Sequence, residues 1–245
     1  MGATSGIGLE LARGFASRGW MVGAAGRDTA ALAALRGEWP GCVVTRRIDV
    51  NDPGAAAEMG ALIGEMGGLD TYLHVAGIGF DNHALEAGKE LATMETNVAG
   101  FTRMVGAAYR WLRDQAGGRG RIAAVTSVAG TDGIGQLAAY SASKRCQQTY
   151  LRALDQLSRM EGLAIRVTDV RPGWIRTPLL DDSRRYPMSM GKERAAREIV
   201  KAVERGRRVA VVDWRWAVLV GLWRLLPGWL WTRLPVRTPP VGSRR

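Results

Sequence analysis

Gly2-Ala3-Thr4-Ser5-Gly6-Ile7-Gly8 heads a helical pattern that runs to about Arg18, with Ile7, Leu11 and Phe15 on one face. Glycines ahead of a helix permit a tight turn and let backbone N–H groups approach a pyrophosphate at the helix's positive end. Outward from this turn, apolar runs of strand length alternate with helical patterns. Trp20 to Ala25, Val43 to Ile48, Leu69 to Val75, Arg121 to Ser127, Ala164 to Val170 and Arg208 to Val212 read as strands. Helices are expected from Thr29 to Glu38 behind an Asp28 cap, after Pro53, from Lys89 to Arg113, from near Gly135, and from Lys192 to Arg205. Such alternation predicts the α/β class: a doubly wound parallel sheet in a single domain over residues 1–212, followed by a Trp/Arg-rich extension over 213–245.

The bulk composition narrows the class. With 245 residues, 47% of them hydrophobic, the chain can bury a sizeable core. Its two cysteines, Cys42 and Cys146, are too few for a disulfide framework and lack ligand spacing, which points to a reducing compartment and no metal. Cys146 reads as a small buried thiol. The net charge of +11 comes from 30 Arg and 4 Lys dispersed along the chain, with no recognition helix or aromatic platform, so no nucleic-acid partner is expected. No charged n-region or apolar h-region marks a signal peptide, and a cytoplasmic location is expected.

The chemistry is concentrated at Tyr140-Ser141-Ala142-Ser143-Lys144, where a phenol and an ammonium share one helical face. A phenol with a pKa of about 10 is a poor acid or base near neutrality, and a neighbouring cation favours the phenolate. Ser127 places a hydroxyl at the carboxyl end of a strand, where α/β sheets bind ligands. Asn97 falls within a helical segment, able to anchor a water or hold the helix open, and Pro172-Gly173 follows another strand.

With Gly2 to Gly8, Ala76-Gly77, Asn97, Ser127, Tyr140, Lys144 and Pro172-Gly173 in this order, the chain resembles the short-chain dehydrogenase/reductase family up to about Val212. The three-residue gap between Gly2 and Gly6 matches the family's compact branch rather than the extended, sugar-modifying branch. The resemblance implies a Rossmann-like fold and hydride transfer between a nicotinamide cofactor and an alcohol/carbonyl pair. It further implies Tyr140 as proton donor or acceptor, Lys144 as the group that lowers its pKa and holds the nicotinamide ribose, Ser127 as the hydrogen-bond partner of the substrate oxygen, and Asn97 as the anchor of a relay water. Gly2, Ser5, Gly6, Ile7, Gly8, Asp49, Val50, Ala76, Gly77, Asn97, Tyr140, Lys144, Pro172, Gly173 and Thr177 are the implied cofactor contacts. A homodimer or homotetramer through the Asn97 and Tyr140 helices is implied as well. His74-Val75 departs from the family's usual pair of asparagines. The rival readings are a membrane-associated binding or scaffolding protein that keeps the fold without catalysis, and an epimerase or dehydratase, disfavoured by the glycine spacing.

At the end of the second strand pattern, Gly26 stands where an acid would meet a ribose 2′-hydroxyl, and Arg27 can pair a 2′-phosphate. NADP(H) is therefore expected over NAD(H). The segment from Trp174 to Met190 has no period and reads as a mobile lid over an apolar substrate.

Two regions depart from this pattern. Five of nine tryptophans fall between Trp214 and Trp231, in a run too short to span a bilayer. Flanked by Arg215 and Arg224 and followed by Arg233, Arg237, Arg244 and Arg245, this run suits either an anionic lipid interface, giving peripheral membrane contact, or packing on the chain itself. At the other end, only Met1 precedes the glycine turn, so no residues are present for the central strand that should lie between the Trp20 and Leu69 strands. A sequence beginning at an internal Met of a longer natural chain is the expectation here.

Overall fold

The computed structural model describes residues 1–177 and 186–237. Its elements follow the expected alternation. They are α1 (Gly6–Ala16), β1 (Val22–Gly26), α2 (Thr29–Glu38), β2 (Val43–Arg47), α3 (Ala55–Met66) and β3 (Thr71–His74), then α4 (Ala87–Met94), α5 (Phe101–Asp114), β4 (Arg119–Val125) and α6 (Ala138–Met160). The remainder comprises β5 (Ala164–Pro172), β6 (Ile175–Arg176), β7 (Met190–Gly191), α7 (Lys192–Glu204), β8 (Val209–Val212), α8 (Trp214–Trp223) and α9 (Gly228–Trp231). Asp28 caps α2 as expected, accepting from the Ala31 N–H at 3.0 Å.

All strand pairs are parallel. β3-β4-β5-β8 form one sheet and β1-β2 another, while β6 and β7 form a small separate ladder. β1 and β3 do not pair with each other, and among the described residues the slot between them is bridged by the first residues of the chain. Gly2 N–H donates to Ala25 O at 2.8 Å, Val75 N–H donates to Met1 O at 2.9 Å, and the Met1 ammonium donates to Leu73 O at 2.9 Å. A groove of about 680 Å³ lies at the amino end of this slot, walled by Trp20, Met66, Trp111 and Arg121. The central strand expected between β1 and β3 is thus absent from the residues given, and its neighbours have not closed up.

The layers form around the strands' alternating faces. α3, α5 and α6 bury Leu62, Met104, Val105, Leu112 and Leu151 against Tyr72, Ile122 and Val167. On the other face, α1 and α7 bury Leu11, Phe15, Ile199 and Val203 against Ala123, Val125 and Val170. At about 25 cal/mol per Å² of apolar surface removed from water, these two layers dominate folding. A third cluster, Leu32, Leu35 and Val43, ties α2 to β1-β2.

Two expectations are corrected. The single helix from Lys89 to Arg113 is interrupted: residues Glu95–Gly100 form a π-helical turn between α4 and α5, with Asn97 fully buried inside it. Such wide turns let a side chain and carbonyl leave the helical ladder. Cys146 is exposed, because it projects from the outer side of α6 while Lys144 and Gln147 face inward.

Candidate active site

Three elements converge on one point beyond the carboxyl ends of β3 and β4. Tyr140 and Lys144 stand one turn apart in α6, Ser127 follows β4, and Asn97 comes from the π-helical turn. The Lys144 Nζ lies 5.6 Å from the centre of the Tyr140 ring. It is buried and donates to Val125 O and to Gln147 Oε1, both at 3.1 Å. Desolvation lowers its pKa to about 8, opposed by the negative charge of Asp169. Burial raises the Tyr140 phenol above its ordinary value, while a hydrogen bond with the Ser127 side chain acts in the opposite direction. The phenol therefore stays protonated near neutrality. Ser127 Oγ also accepts from the Ala129 N–H at 3.1 Å, which fixes its rotamer at the start of a short 3-10 turn.

Asn97 works as a clamp. Its Oδ1 accepts from Ile78 N–H at 2.9 Å, and its Nδ2 donates to Ile78 O at 2.7 Å and to Ser143 Oγ at 3.1 Å. The loop after β3 is thereby locked to α6. Beside it, a Cβ on Gly77 would lie 3.1 Å from Asn97 Oδ1 and 3.5 Å from Lys144 Nζ. Nearby His74 is a strand residue whose Nδ1 sits 2.9 Å from the Tyr72 hydroxyl, and burial pushes its pKa down to about 3.

The glycine turn abuts this centre. Gly2 has φ +86, and a Cβ there would lie 2.6 Å from Ala76 N; a Cβ on Gly8 would lie 1.9 Å from Gly2 O. Only glycine fits either place. The turn ahead of α1 packs on Ala76 through Gly2. Ser5, the N-cap of α1, makes no side-chain cap, so the first-turn N–H groups of the 11-residue helix, with Gly6 and Ile7 leading it, have no side-chain acceptor there. That is the donor set a pyrophosphate requires. Arg27 is exposed just past β1, whereas Asp28 is engaged in its cap. Asp49 accepts from Asn51 N–H at 3.0 Å, and Val50 O accepts from Arg103 Nη1 at 2.5 Å, holding the adjoining loop. Pro172 ends β5, Gly173 lies under the Trp216 indole, and Thr177 follows β6. Of the expected lid, Trp174 to Met190, residues 178–185 lie outside the described residues.

A family model for short chain dehydrogenases matches residues 1–187. The chain belongs to the short-chain dehydrogenase/reductase family. This dehydrogenase/reductase is 33% identical to an uncharacterized oxidoreductase of Myxococcus xanthus over 234 residues, 92% of this chain and 90% of the relative. It is also 33% identical to an uncharacterized oxidoreductase of Mycobacterium tuberculosis over 239 residues, 92% of each chain. Among solved structures, an actinorhodin polyketide ketoreductase with NADPH superposes with a TM-score of 0.76 at 25% identity, covering 86% of this chain and 93% of that one. A closed serine dehydrogenase complexed with NADP+ gives a TM-score of 0.77 at 24% identity over 86% and 91% of the chains, a likeness of fold.

Two positions that sequence reading passed over shape the centre of this oxidoreductase. Gly79 has no room for a side chain, because a Cβ would lie 2.4 Å from Tyr140 Cδ2. Gln147, buried one turn beyond Lys144, donates its Nε2 to Asn97 O at 2.8 Å while its Oε1 accepts from Lys144. One side chain thus links the Asn97 carbonyl to the ammonium. The signal in sequence was a polar residue at i+3 on an inward helical face.

A positioning role for Gln147 is tested by the pH profile of its variants. Replacing it with Leu removes an acceptor of the ammonium, so the Lys144 pKa falls below about 8 and the alkaline limb of the kcat/KM profile moves to lower pH. Gln147→Glu places a carboxylate there and moves that limb upward. Unchanged profiles in both variants would assign Gln147 to packing alone.

Proposed function

We propose that the protein is an NADP(H)-dependent oxidoreductase that transfers hydride between the cofactor and an apolar alcohol or carbonyl compound. The observation that carries this reading is the convergence of Tyr140, Ser127 and Lys144 on the loop that also receives the glycine turn. Bound NADP(H) would supply or accept the hydride. Its pyrophosphate would lie on the Gly2, Ser5, Gly6, Ile7 and Gly8 turn, its adenosine beside Asp49, Val50, Ala76 and Gly77, and its carboxamide end beside Pro172, Gly173 and Thr177. Arg27 would pair the 2′-phosphate, favoured by its exposure just past β1 and by Asp28 turning its Oδ1 to the Ala31 N–H.

The chain's own groups then carry the proton. In reduction, the protonated Tyr140 hydroxyl delivers its proton to the developing alkoxide, and Ser127 Oγ donates a hydrogen bond to the same oxygen. The positive charge of Lys144 stabilises the phenolate left behind. In oxidation, the proton returns to Tyr140, whose raised pKa makes this direction climb with pH.

An apolar substrate is supported by the wall that continues from Ser127. Val128, Trp216 and Val220 form a buried cluster, with Trp174, Met188, Val211 and Trp223 packed on it. On the far side, α4 exposes Leu91 at 68% and Met94 at 39%, a face suited to a homodimer. The two free cysteines suit the cytoplasm, with peripheral membrane contact through the extension from residue 213.

Cofactor choice is tested by fluorescence titration with NADPH and NADH. The parent protein binds NADPH more tightly. Arg27→Ala weakens NADPH by about tenfold or more, the scale of a charge-assisted hydrogen bond, and leaves NADH unchanged. Equal affinity of the parent for both cofactors would overturn the preference.

A further inference from the structure

Helix α8 is apolar on two opposite faces, and among the described residues the body of the protein covers one of them. Toward the body, Trp216 and Val220 are 8% and 3% exposed, and the Trp216 indole packs so closely on Gly173 that a Cβ there would lie 2.1 Å from its Nε1. Trp223 stacks on Trp231 with ring centres 4.5 Å apart, and Trp231 Nε1 donates to Gly133 O at 2.7 Å, so α9 is pinned over the loop after Ser127. On the opposite face, Trp214 is 73%, Val218 55% and Leu222 60% exposed, recurring every four residues along α8. Leu225 at 78% and Trp229 at 63% continue that surface toward α9. A helix apolar all round is ordinarily buried all round.

Charge says what covers it. From Trp214 to Arg237 the chain holds four arginines and no acidic residue. Arg215 is neutralised by Asp213, and Arg233 lies 5.3 Å over the Trp229 ring. Arg224 forms no ion pair among the described residues. Its pKa is lowered by burial and then by the like charges of Arg171, Arg152 and Arg145. Arg224 continues the covered row of Trp216 and Val220. The cation at the bare face is Arg233 over the exposed Trp229, and a second copy of that face would bring two such cations together. An anionic bilayer answers both features, with apolar side chains entering the acyl boundary and arginines at the headgroups. None of the helices among the described residues is long and apolar enough to cross a membrane, so the contact is along the surface.

We propose that the face made by Trp214, Val218, Leu222, Leu225 and Trp229 docks on an anionic lipid bilayer. Because the opposite side of α8 is the apolar wall next to Ser127, docking sets the site beside the lipid phase, and the substrate class becomes lipophilic alcohols or ketones taken from the membrane. This second step rests on the oxidoreductase reading; the docking itself does not.

Flotation of the full chain with phosphatidylcholine vesicles, with and without phosphatidylglycerol, tests it. The parent protein floats with the phosphatidylglycerol vesicles and is released by salt, and brominated lipid quenches its tryptophan fluorescence. The double variant L222E/L225E, altered only at exposed positions, loses partitioning by at least about tenfold, as expected when charges replace inserted leucines. It keeps the parent's turnover of a water-soluble ketone and loses turnover of a long-chain ketone held in vesicles. A parent protein that neither floats nor is quenched overturns the proposal, as does flotation undiminished in the variant. Loss of a dimer in the variant, with no vesicle binding by the parent, would put a second copy on this face and overturn it too. Vesicle binding by a parent protein that turns over no carbonyl compound with NADPH counts against the oxidoreductase reading and upholds the docking surface.

Discussion

Tyr140→Phe abolishes turnover, lowering kcat by at least about 100-fold, the usual contribution of a positioned general acid. The ring itself is retained, and with it the close packing against Gly79, where a Cβ would lie only 2.4 Å from Tyr140 Cδ2. Fold and cofactor affinity therefore persist, and NADPH titration gives a binding curve like the parent's. Only the hydroxyl that Ser127 contacts is lost. Stopped-flow measurement of carbonyl reduction checks the point. Turnover comparable to the parent would mean that another group gives the proton and that the convergence of Tyr140, Ser127 and Lys144 has a different purpose.

The second large effect is on stability. Beneath the site, Asp169 and Arg171 form an ion pair of 2.6 Å with side chains only 6% and 2% exposed, and Thr126 Oγ1 donates to the other carboxylate oxygen at 2.6 Å. Asp169→Ala leaves the Arg171 guanidinium buried without its partner, which costs about 3–5 kcal/mol. For a chain of this length that lowers Tm by on the order of 10 °C, measured by calorimetry. Adding Arg171→Met replaces the orphaned charge by apolar volume and regains most of the loss. Asp169 also opposes the desolvation of Lys144, so its removal drives the Lys144 pKa further below about 8 and narrows the alkaline limb of activity. A Tm within a degree or two of the parent in Asp169→Ala would show that the pair contributes little.

Much of this architecture was legible in the chain because it rests on local periodicity and short-range chemistry. The strand and helix alternation, the Asp28 cap, and the shared face of Tyr140 and Lys144 all depend on residues a few positions apart. The gap between β1 and β3 was legible for the same reason, since a strand needs residues to build it. The π-helical turn at Asn97 was not, because the residues around it carry an ordinary helical pattern, and the distortion is fixed by partners on another loop and another helix.

Sequence by itself determined the layers, the glycine turn and the shared face of Tyr140 and Lys144, since periods of 2 and 3.6 residues and the i, i+4 rule are properties of the backbone. Tertiary structure decided the rest. Gln147 meets Asn97 across 50 residues, Gly79 meets Tyr140 across a loop, and Cys146 faces solvent only because its neighbours face the sheet. The tryptophan-rich extension makes the same point, since the sequence allowed either packing on the chain or contact with lipid. The fold gives α8 a covered face on Gly173 and Val128 and a bare face opposite, because a helix laid on a surface can bury only one side.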